Sequence, residues 1–250
     1  MQPSPPPPRS EWAYFFDIDG TLSELAPTPE RALLAPALRD RILALRAQCD
    51  GAVAVVSGRP LRDIDRLFQG HVLAAAGQHG AERRDASGRV THVPVVRELL
   101  DDAHANLARF VARNPKLLLE DKGGSLALHY RAAPAMAGVA HRTMLAEQRR
   151  LGHAFVVQGG KRLVELVPEG IDKGGAVRAF LDERPFRGRL PVFIGDDVSD
   201  EPAFAAVAAR GGHSIKVGTG PTAARWRLRS VGAVRAWLAD APLAAGTESR

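Results

Sequence analysis

Two aspartates, Asp17 and Asp19, are separated by one residue where an apolar stretch gives way to glycine and threonine. The stretch Trp12–Ile18 is typical of a short buried strand, so both acids lie where a strand ends and a loop begins. Two carboxylates at such a place can address one phosphorus atom, one attacking it and the other handling protons. An aspartate carboxylate is an established type of nucleophile toward phosphate. The pair therefore indicates phosphoryl transfer.

Three more polar groups fall at comparable places, and the carboxyl ends of strands are where functional groups gather in open α/β sheets. They are Ser57 after the apolar run Ala52–Val56, Lys173 at the start of a predicted helix, and Asp196, Asp197 and Asp200 after the run Pro191–Gly195. Five carboxylates that converge without a counterion would repel one another. Bound Mg²⁺, which prefers carboxylate and carbonyl oxygens, would relieve that repulsion. With lysine and hydroxyl donors it is suited to phosphoryl transfer.

The elements that must position these groups alternate between strand and helix at both ends of the chain. The first third predicts strand Trp12–Ile18, a helix within 30–48, strand Ala52–Val56, a helix after Pro60 and strand Val72–Ala76. The last third predicts helix Lys173–Glu183, strand Pro191–Gly195, helix Glu201–Ala209, strand Ser214–Val217, a solvated helix around Arg225–Arg227 and a final helix Val231–Leu238. This order is typical of a doubly wound parallel sheet.

The middle of the chain has a different character. It predicts strand-like pieces within 82–93, helix Val95–Arg113, a hairpin of Lys116–Glu120 with Ser125–Arg131, a helix over 135–151, and a hairpin of Ala154–Gln158 with Arg162–Val167. We therefore expect a discontinuous α/β core of residues 11–81 and 168–250. A smaller α+β module of residues 82–167 is inserted into it, and residues 1–10 form a flexible, Pro-rich tail.

Four motifs resemble, in content and order, those of the haloacid dehalogenase (HAD) superfamily. They are Asp17–Leu22 (DIDGTL), Ser57–Arg59 (SGR), Lys173–Ala176 (KGGA) and Gly195–Glu201 (GDDVSDE). The resemblance implies a Rossmann-like core with a mobile cap. It also implies that Asp17 is the nucleophile and forms an aspartyl phosphate. Asp19 would protonate the leaving oxygen and then activate water.

The same resemblance implies roles for the neighbouring residues. Ser57 and Lys173 would hold the phosphoryl oxygens. Mg²⁺ would be held by Asp17, the main-chain carbonyl of Asp19, and Asp196. The supporting positions are Thr21, Gly58, Arg59, Asp197 and Asp200. Asp197 and Asp200 are also candidate N-caps of the helix that begins near Glu201, and for Asp197 this structural role is the favoured interpretation.

Over nearly the whole chain after the tail, the sequence is also similar to the trehalose-6-phosphate phosphatase family. The similar segments are SGRP at 57–60, GQHGAE at 77–82, GKRLVEL at 160–166 and GDDVSDE, in which Ser199 stands where the family usually has threonine. The resemblance implies that cap residues contact the sugar hydroxyls, and these would be Glu120, Lys122, Arg131, Lys161 and Glu165. The apolar alternation leaves open which face of its strand Glu165 occupies. For His79, substrate contact and local packing remain alternatives.

The sequence thus predicts a Mg²⁺-dependent phosphatase that hydrolyses trehalose 6-phosphate. One alternative is a related capped phosphatase acting on sucrose phosphate or a glycerate glycoside. Another is a non-catalytic regulatory domain, which the intact pair of Asp17 and Asp19 disfavours.

Composition excludes several other classes. The 250 residues carry a net charge of +6, but the arginines are dispersed among acids, which disfavours a nucleic-acid surface. Cys49 is the only cysteine, so no intrachain disulfide forms and we expect a buried small residue. No apolar run approaches the roughly 18–20 residues of a membrane span. The Pro-rich start lacks the apolar region of a signal peptide, so we expect a cytoplasmic protein. The oligomeric state stays open, with a monomer as the default.

Overall fold

The computed structural model describes residues 3–26, 28–94 and 97–240. Its strands are β1 (Trp12–Phe16), β2 (Val53–Val56), β3 (Ala74–Gly77), β4 (Glu82–Arg84), β5 (Val90–His92), β6 (Leu118–Asp121), β7 (Leu126–His129), β8 (Phe155–Gly160), β9 (Leu163–Pro168), β10 (Leu190–Gly195), β11 (His213–Val217) and β12 (Trp226–Leu228). Its α-helices are α1 (Pro36–Gln48), α2 (Leu61–Leu67), α3 (Arg97–Ala112), α4 (Ala137–Leu151), α5 (Lys173–Leu181), α6 (Glu201–Ala208) and α7 (Val231–Ala239).

The larger sheet has the strand order β12-β11-β10-β1-β2-β3-β4-β5, and its first six strands run parallel. Strands β1 and β2 are buried along their whole length, as the continuous apolar runs predicted. Phe16 pairs with Ile194 on one side and with Val55 on the other. The central strands β10, β1 and β2 therefore end at nearly the same level, and the residues that follow them come together.

A cluster of aromatic rings fixes helix α5 against the central strand. Phe15 of β1 lies with its ring centroid 6.0 Å from that of Phe180 and 5.4 Å from that of Phe186. All three side chains are fully buried. Truncating such a ring to alanine costs about 3–5 kcal/mol. This packing places Lys173, at the first turn of α5, beside the end of β1.

The inserted module, called the cap below, is a four-stranded antiparallel sheet of order β6-β7-β9-β8. Helices α3 and α4 cover one face of it and enclose a separate apolar core that includes Leu107, Met144 and Leu166. The opposite face of the cap sheet carries polar side chains. That face is turned toward the carboxyl ends of the large sheet.

Three features differ from the expectations. Strands β4 and β5, which we expected in the cap, extend the larger sheet, because β4 pairs antiparallel with β3. The turn chemistry predicts a hairpin there but does not say which sheet the hairpin joins. The segment around Trp226 is the edge strand β12 rather than a solvated helix, and it pairs with β11. From Pro3 onward, the expected flexible tail packs on the core: the main-chain carbonyl of Pro6 accepts a hydrogen bond of 2.8 Å from Trp237 Nε1.

Three remaining points concern the start of α3, the burial of Cys49 and the question of membrane-spanning helices. The predicted start of the third helix, at Val95, lies outside the described residues, and the helix is described from Arg97. Cys49 is fully buried, as expected. Of the helices in the described ranges, none combines the length and the apolar character that crossing a membrane requires.

Candidate active site

A cavity lies between the carboxyl ends of the large sheet and the polar face of the cap. All but two of the residues predicted for the site line it: Asp17, Asp19, Ser57, Gly58, Arg59, His79, Glu120, Lys122, Arg131, Lys161, Glu165, Lys173, Asp196 and Asp197. The two exceptions, Thr21 and Asp200, are fully buried. The fold thus gathers residues from five segments of the core and two hairpins of the cap.

The core side of the cavity holds three buried carboxylates and one buried ammonium group. Carboxylate oxygens of Asp17, Asp196 and Asp200 lie within 4.8 Å of one another. Lys173 Nζ lies 2.7 Å from Asp17 Oδ1 and 2.6 Å from Asp200 Oδ1. Lys173 is held there because Asp172 caps α5, its carboxylate accepting from the main-chain N–H of Gly175 at 2.6 Å. The cluster is a preorganised ion group at the end of β1.

The charges of this cluster do not balance. Burial raises the pKa of Asp17 well above its ordinary value, Lys173 opposes the shift, and Asp200 and Asp196 add to it. Burial raises the pKa of Asp196 to about 6, with Lys161 opposing and Asp200 adding. For Lys173, burial alone would lower the pKa, but Asp17 and Asp200 outweigh it and raise the pKa, so the side chain stays an ammonium group. Three carboxylates thus share one buried ammonium group, that of Lys173, and Asp196 forms a further ion pair with Lys161.

The donor set fits a divalent cation. Among the described residues, Asp196 Oδ1 is a buried oxygen with no hydrogen-bond partner. Asp200 is already satisfied: Oδ1 accepts from Lys173, and Oδ2 accepts from the main-chain N–H groups of Asp196 and Asp197 at 2.7 and 2.8 Å. Its role is to position the loop. Asp17 and Asp196 are then the carboxylates best placed to hold a metal ion, and hard oxygen donors suit Mg²⁺.

Gly20 allows Asp196 its position. A Cβ atom at Gly20 would lie 1.8 Å from Asp196 Oδ2, and its φ of +83° lies in the left-handed region. Asp197 also shapes this loop, since it forms a reciprocal capping box with Asp200 at a short 3₁₀ turn. This is the helix-capping role that the sequence favoured for Asp197.

Asp19 is held by an arginine from the next strand end. Arg59 Nε donates to Asp19 Oδ2 at 2.6 Å, and Arg59 Nη2 donates to Oδ1 at 2.7 Å. The Asp19 side chain is 35% exposed, whereas that of Arg59 is 7% exposed. Ser57 is buried, and its Oγ accepts from the main-chain N–H of Arg59 at 3.3 Å. Asp19 is thus both oriented and open to the cavity.

The cap side of the cavity is built around Glu165. Its Oε1 accepts from Lys122 Nζ at 2.9 Å and from Ser125 Oγ at 2.7 Å, and its Oε2 lies 3.3 Å from His79 Nε2. Burial raises the pKa of Glu165, but Lys122 and His79 outweigh it and hold the pKa far below its usual range. Glu165 shares its strand face with Leu163, toward the core, while Val164 packs into the apolar core of the cap. This settles the face that the sequence left open.

Other cap side chains complete the wall. Glu120 Oε2 lies 2.8 Å from His129 Nε2. Lys161 Nζ forms an ion pair with Asp196 Oδ2, and its main-chain N–H donates to Asp197 Oδ2 at 2.9 Å. The ammonium group of a cap lysine therefore reaches a carboxylate of the core cluster.

Sequence reasoning missed four residues of this region: Gln78, Ser125, His129 and Lys216. His129 is the last residue of the apolar strand β7, and its cross-strand partner Leu118 lies two residues before Glu120 in β6. This pairing could have predicted that His129 lies near Glu120. Lys216 follows a buried strand, and its Nζ donates to the main-chain carbonyl of Asp196. Gln78 lies in the segment GQHGAE, but the sequence assigns it no role, and Ser125 carries no signal beyond a polar residue beside glycine. The contact between Gln78 and the loop of Gly124 and Ser125 arises only from the docking of the cap.

The parallel sheet, the inserted cap and the acid cluster at the end of β1 define the class: the chain has the fold of the HAD-type hydrolases. A solved haloacid dehalogenase-like hydrolase from Bacteroides thetaiotaomicron shares this fold, with a TM-score of 0.63, 15% identity, and coverage of 92% of this chain and 98% of that one.

Closer comparisons specify the family. The sequence model of the trehalose-phosphatase family matches residues 15–231. The chain is 41% identical over 229 residues to trehalose-6-phosphate phosphatase of Escherichia coli strain K12, covering 92% of this chain and 86% of that protein. A solved trehalose-6-phosphate phosphatase related protein has a TM-score of 0.76 at 26% identity and covers 91% of this chain and 95% of that one. The chain belongs to the trehalose-phosphatase family.

Proposed function

We propose that this protein hydrolyses trehalose 6-phosphate to trehalose and inorganic phosphate, with Mg²⁺ bound at the acid cluster. One observation carries the proposal. A single cavity joins the cluster of Asp17, Lys173 and Asp196, which suits phosphoryl transfer, to a cap wall of charged donors and acceptors, which suits the hydroxyls of a sugar.

In the first half-reaction, a carboxylate oxygen of Asp17 attacks the phosphorus atom. The bond between phosphorus and the sugar oxygen breaks, and Asp19 gives its proton to that oxygen. Lys173, kept as an ammonium group beside Asp17, offsets negative charge on the nucleophile and on the phosphoryl group. Ser57 offers its hydroxyl to a phosphoryl oxygen.

In the second half-reaction, Asp19 accepts a proton from water, and the water oxygen attacks phosphorus. The bond to Asp17 breaks, which releases phosphate and restores the enzyme. When bound between Asp17, the main-chain carbonyl of Asp19 and Asp196, Mg²⁺ would supply charge stabilisation for the phosphoryl group.

The cap determines which sugar phosphate the site accepts. Glu165, held ionised, accepts hydrogen bonds, while Lys122 and Lys161 donate them. A sugar that lacks a matching hydroxyl leaves these polar groups unpaired, which is how a site gains large discrimination. The cap also excludes bulk water from the attack.

Phosphate release from a panel of sugar phosphates, with and without Mg²⁺, tests the proposal. We expect the highest kcat/KM for trehalose 6-phosphate and no turnover after chelation. Preference for sucrose phosphate or a phosphorylated glycerate glycoside would favour a related capped phosphatase. Absence of turnover on every substrate, with Mg²⁺ present, would favour a regulatory domain.

A further inference from the structure

Gln78 and His79 form an unusual turn at the end of β3. Their φ angles are +47° and +60°, in the left-handed region that residues other than glycine rarely occupy. Both side chains are buried, with exposures of 2% and 7%. Two adjacent non-glycine residues persist in such a conformation only where the surrounding structure determines it, and such positions concentrate at functional sites.

The turn is fixed to the loop that carries Ser57 and Arg59. The main-chain N–H of Gln78 donates to the carbonyl of Arg59 at 2.9 Å, and that of His79 donates to the carbonyl of Ser57 at 2.9 Å. Gln78 Nε2 donates to Glu82 Oε1 at 2.5 Å, and Glu82 Oε2 accepts from the main-chain N–H of Leu61 at 2.8 Å. The amide nitrogen of Gln78 is therefore held by the core.

The other end of the same amide faces the cap. Gln78 Oε1 accepts from the main-chain N–H of Gly124 at 3.1 Å and lies 3.4 Å from Ser125 Oγ. Both residues are in the loop between β6 and β7. A Cβ atom at Gly124 would lie 3.0 Å from Gln78 Oε1, so glycine permits this close approach. Ser125 donates its one proton to Glu165, and Lys122 at the base of the loop also bonds Glu165.

We propose that Gln78 is a positioning residue, the core-side seat on which the β6–β7 loop of the cap docks, and that this docking places Lys122 and Glu165 over the substrate. The amide bridges Glu82 of the core and Gly124 of the cap, so it links docking of the cap to the loop that carries Ser57 and Arg59. The kinetic part of this inference rests on the proposed function.

Amide hydrogen exchange at Gly124 tests the seat without any substrate. We compare the unmodified protein with Gln78→Ala and Gln78→Gly, the second of which relaxes the left-handed backbone and so guards against misfolding. The matched control is Gln69→Ala. Gln69 also has a positive φ, of +53°, but it lies exposed on the surface of the α/β domain, where its side chain pairs with Arg39. Faster exchange at Gly124 in both Gln78 variants, and not in Gln69→Ala, is the expected result. Unchanged exchange overturns the proposal.

Kinetics provide the second readout. For Gln78→Gly we expect kcat/KM for trehalose 6-phosphate to fall about 3- to 10-fold, the effect of one lost hydrogen bond. Turnover of 4-nitrophenyl phosphate, which offers no sugar hydroxyls, should change little. Equal losses on both substrates would mean that Gln78 only supports the loop that carries Ser57 and Arg59, and would overturn the proposal. If the unmodified protein does not hydrolyse trehalose 6-phosphate, the proposed function fails, while the exchange experiment still decides on the seat.

Discussion

Arg59 holds Asp19 through two parallel hydrogen bonds, although the two residues lie 40 positions apart. A planar guanidinium group matches a carboxylate in this way and fixes its orientation. Asp19, oriented in this way and partly open to the cavity, is placed for the proton transfers of both proposed half-reactions.

Arg59→Gln should therefore lower turnover without abolishing it. Asp19 loses its orientation, and misplacement of a catalytic group costs about 10- to 100-fold. We expect kcat to fall on trehalose 6-phosphate and on 4-nitrophenyl phosphate, since both pass through the same aspartyl phosphate, whose hydrolysis needs Asp19 to accept a proton from water. Arg62→Gln, an exposed change on α2, serves as the control. A loss restricted to the sugar phosphate would instead assign Arg59 to sugar recognition.

Asp17→Asn should remove activity and keep the fold. The amide is not a nucleophile toward phosphorus, so turnover should drop by at least about 10³-fold. Burial disfavours the charged form of Asp17, so the neutral amide should leave the melting temperature at pH 7 unchanged or higher. Phosphate release and thermal unfolding measure the two effects, with exposed Asp40→Asn as the reference. Turnover near the unmodified level would show that another residue is the nucleophile.

Mg²⁺ should raise the melting temperature of the chelator-treated protein. A ligand at about 100 times its Kd stabilises the folded state by about 2.7 kcal/mol, provided that it does not bind the unfolded chain. Asp196→Asn removes one proposed ligand and should abolish most of the shift. The exposed Asp182→Asn should retain it. A Mg²⁺-induced shift of full size in Asp196→Asn would remove Asp196 from the metal site.

The metal-free protein should lose stability as the pH rises from about 4 to about 6. The pKa of Asp196 is about 6 in the folded state, against an ordinary value of 3.8, so the folded protein binds a proton that the unfolded chain has released in this window. The contribution of Asp196 to the free energy of unfolding therefore falls with pH in this window and levels off above pH 6. Urea unfolding in the presence of chelator measures the slope. It should be shallower in Asp196→Asn, and an identical slope in that variant would contradict the assignment.

Glu120→Gln should weaken recognition of the sugar and leave the phosphoryl-transfer chemistry unaffected. Glu120 lies on the cap wall beside His129. Losing a charged acceptor for a sugar hydroxyl costs about 1.5–3 kcal/mol, or about 10- to 100-fold in kcat/KM for trehalose 6-phosphate. Turnover of 4-nitrophenyl phosphate should be unaffected, as should both activities in the surface variant Glu98→Gln. Parallel losses on both substrates would exclude a role of Glu120 in sugar recognition.

The central strands and their terminal acids could be predicted because their signals are local. A continuous apolar run such as that of β2 demands burial on both faces, and the polar residue after it must then lie at the edge of the sheet. Parallel order brings such edges together, so the meeting of Asp17, Ser57 and Asp196 follows from strand ends alone.

What could not be predicted depends on contacts between distant segments. The hairpin of β4 and β5 contains no information about which sheet it extends. The face of Glu165 was ambiguous because apolar residues flank it on both sides. Gln78 was missed because its importance comes from Gly124, which contacts it only when the cap sheet packs over the larger sheet.

The central position of β1 has a consequence for how the protein is made. β1 is translated before its neighbour β10 and before Lys173, the partner of Asp17, which lies 156 residues downstream. The acid cluster therefore cannot assemble until the chain has been translated beyond Asp200. The emerging chain must keep five consecutive apolar residues of β1 from aggregating through that delay, while the inserted module, whose contacts are local, is free to form first.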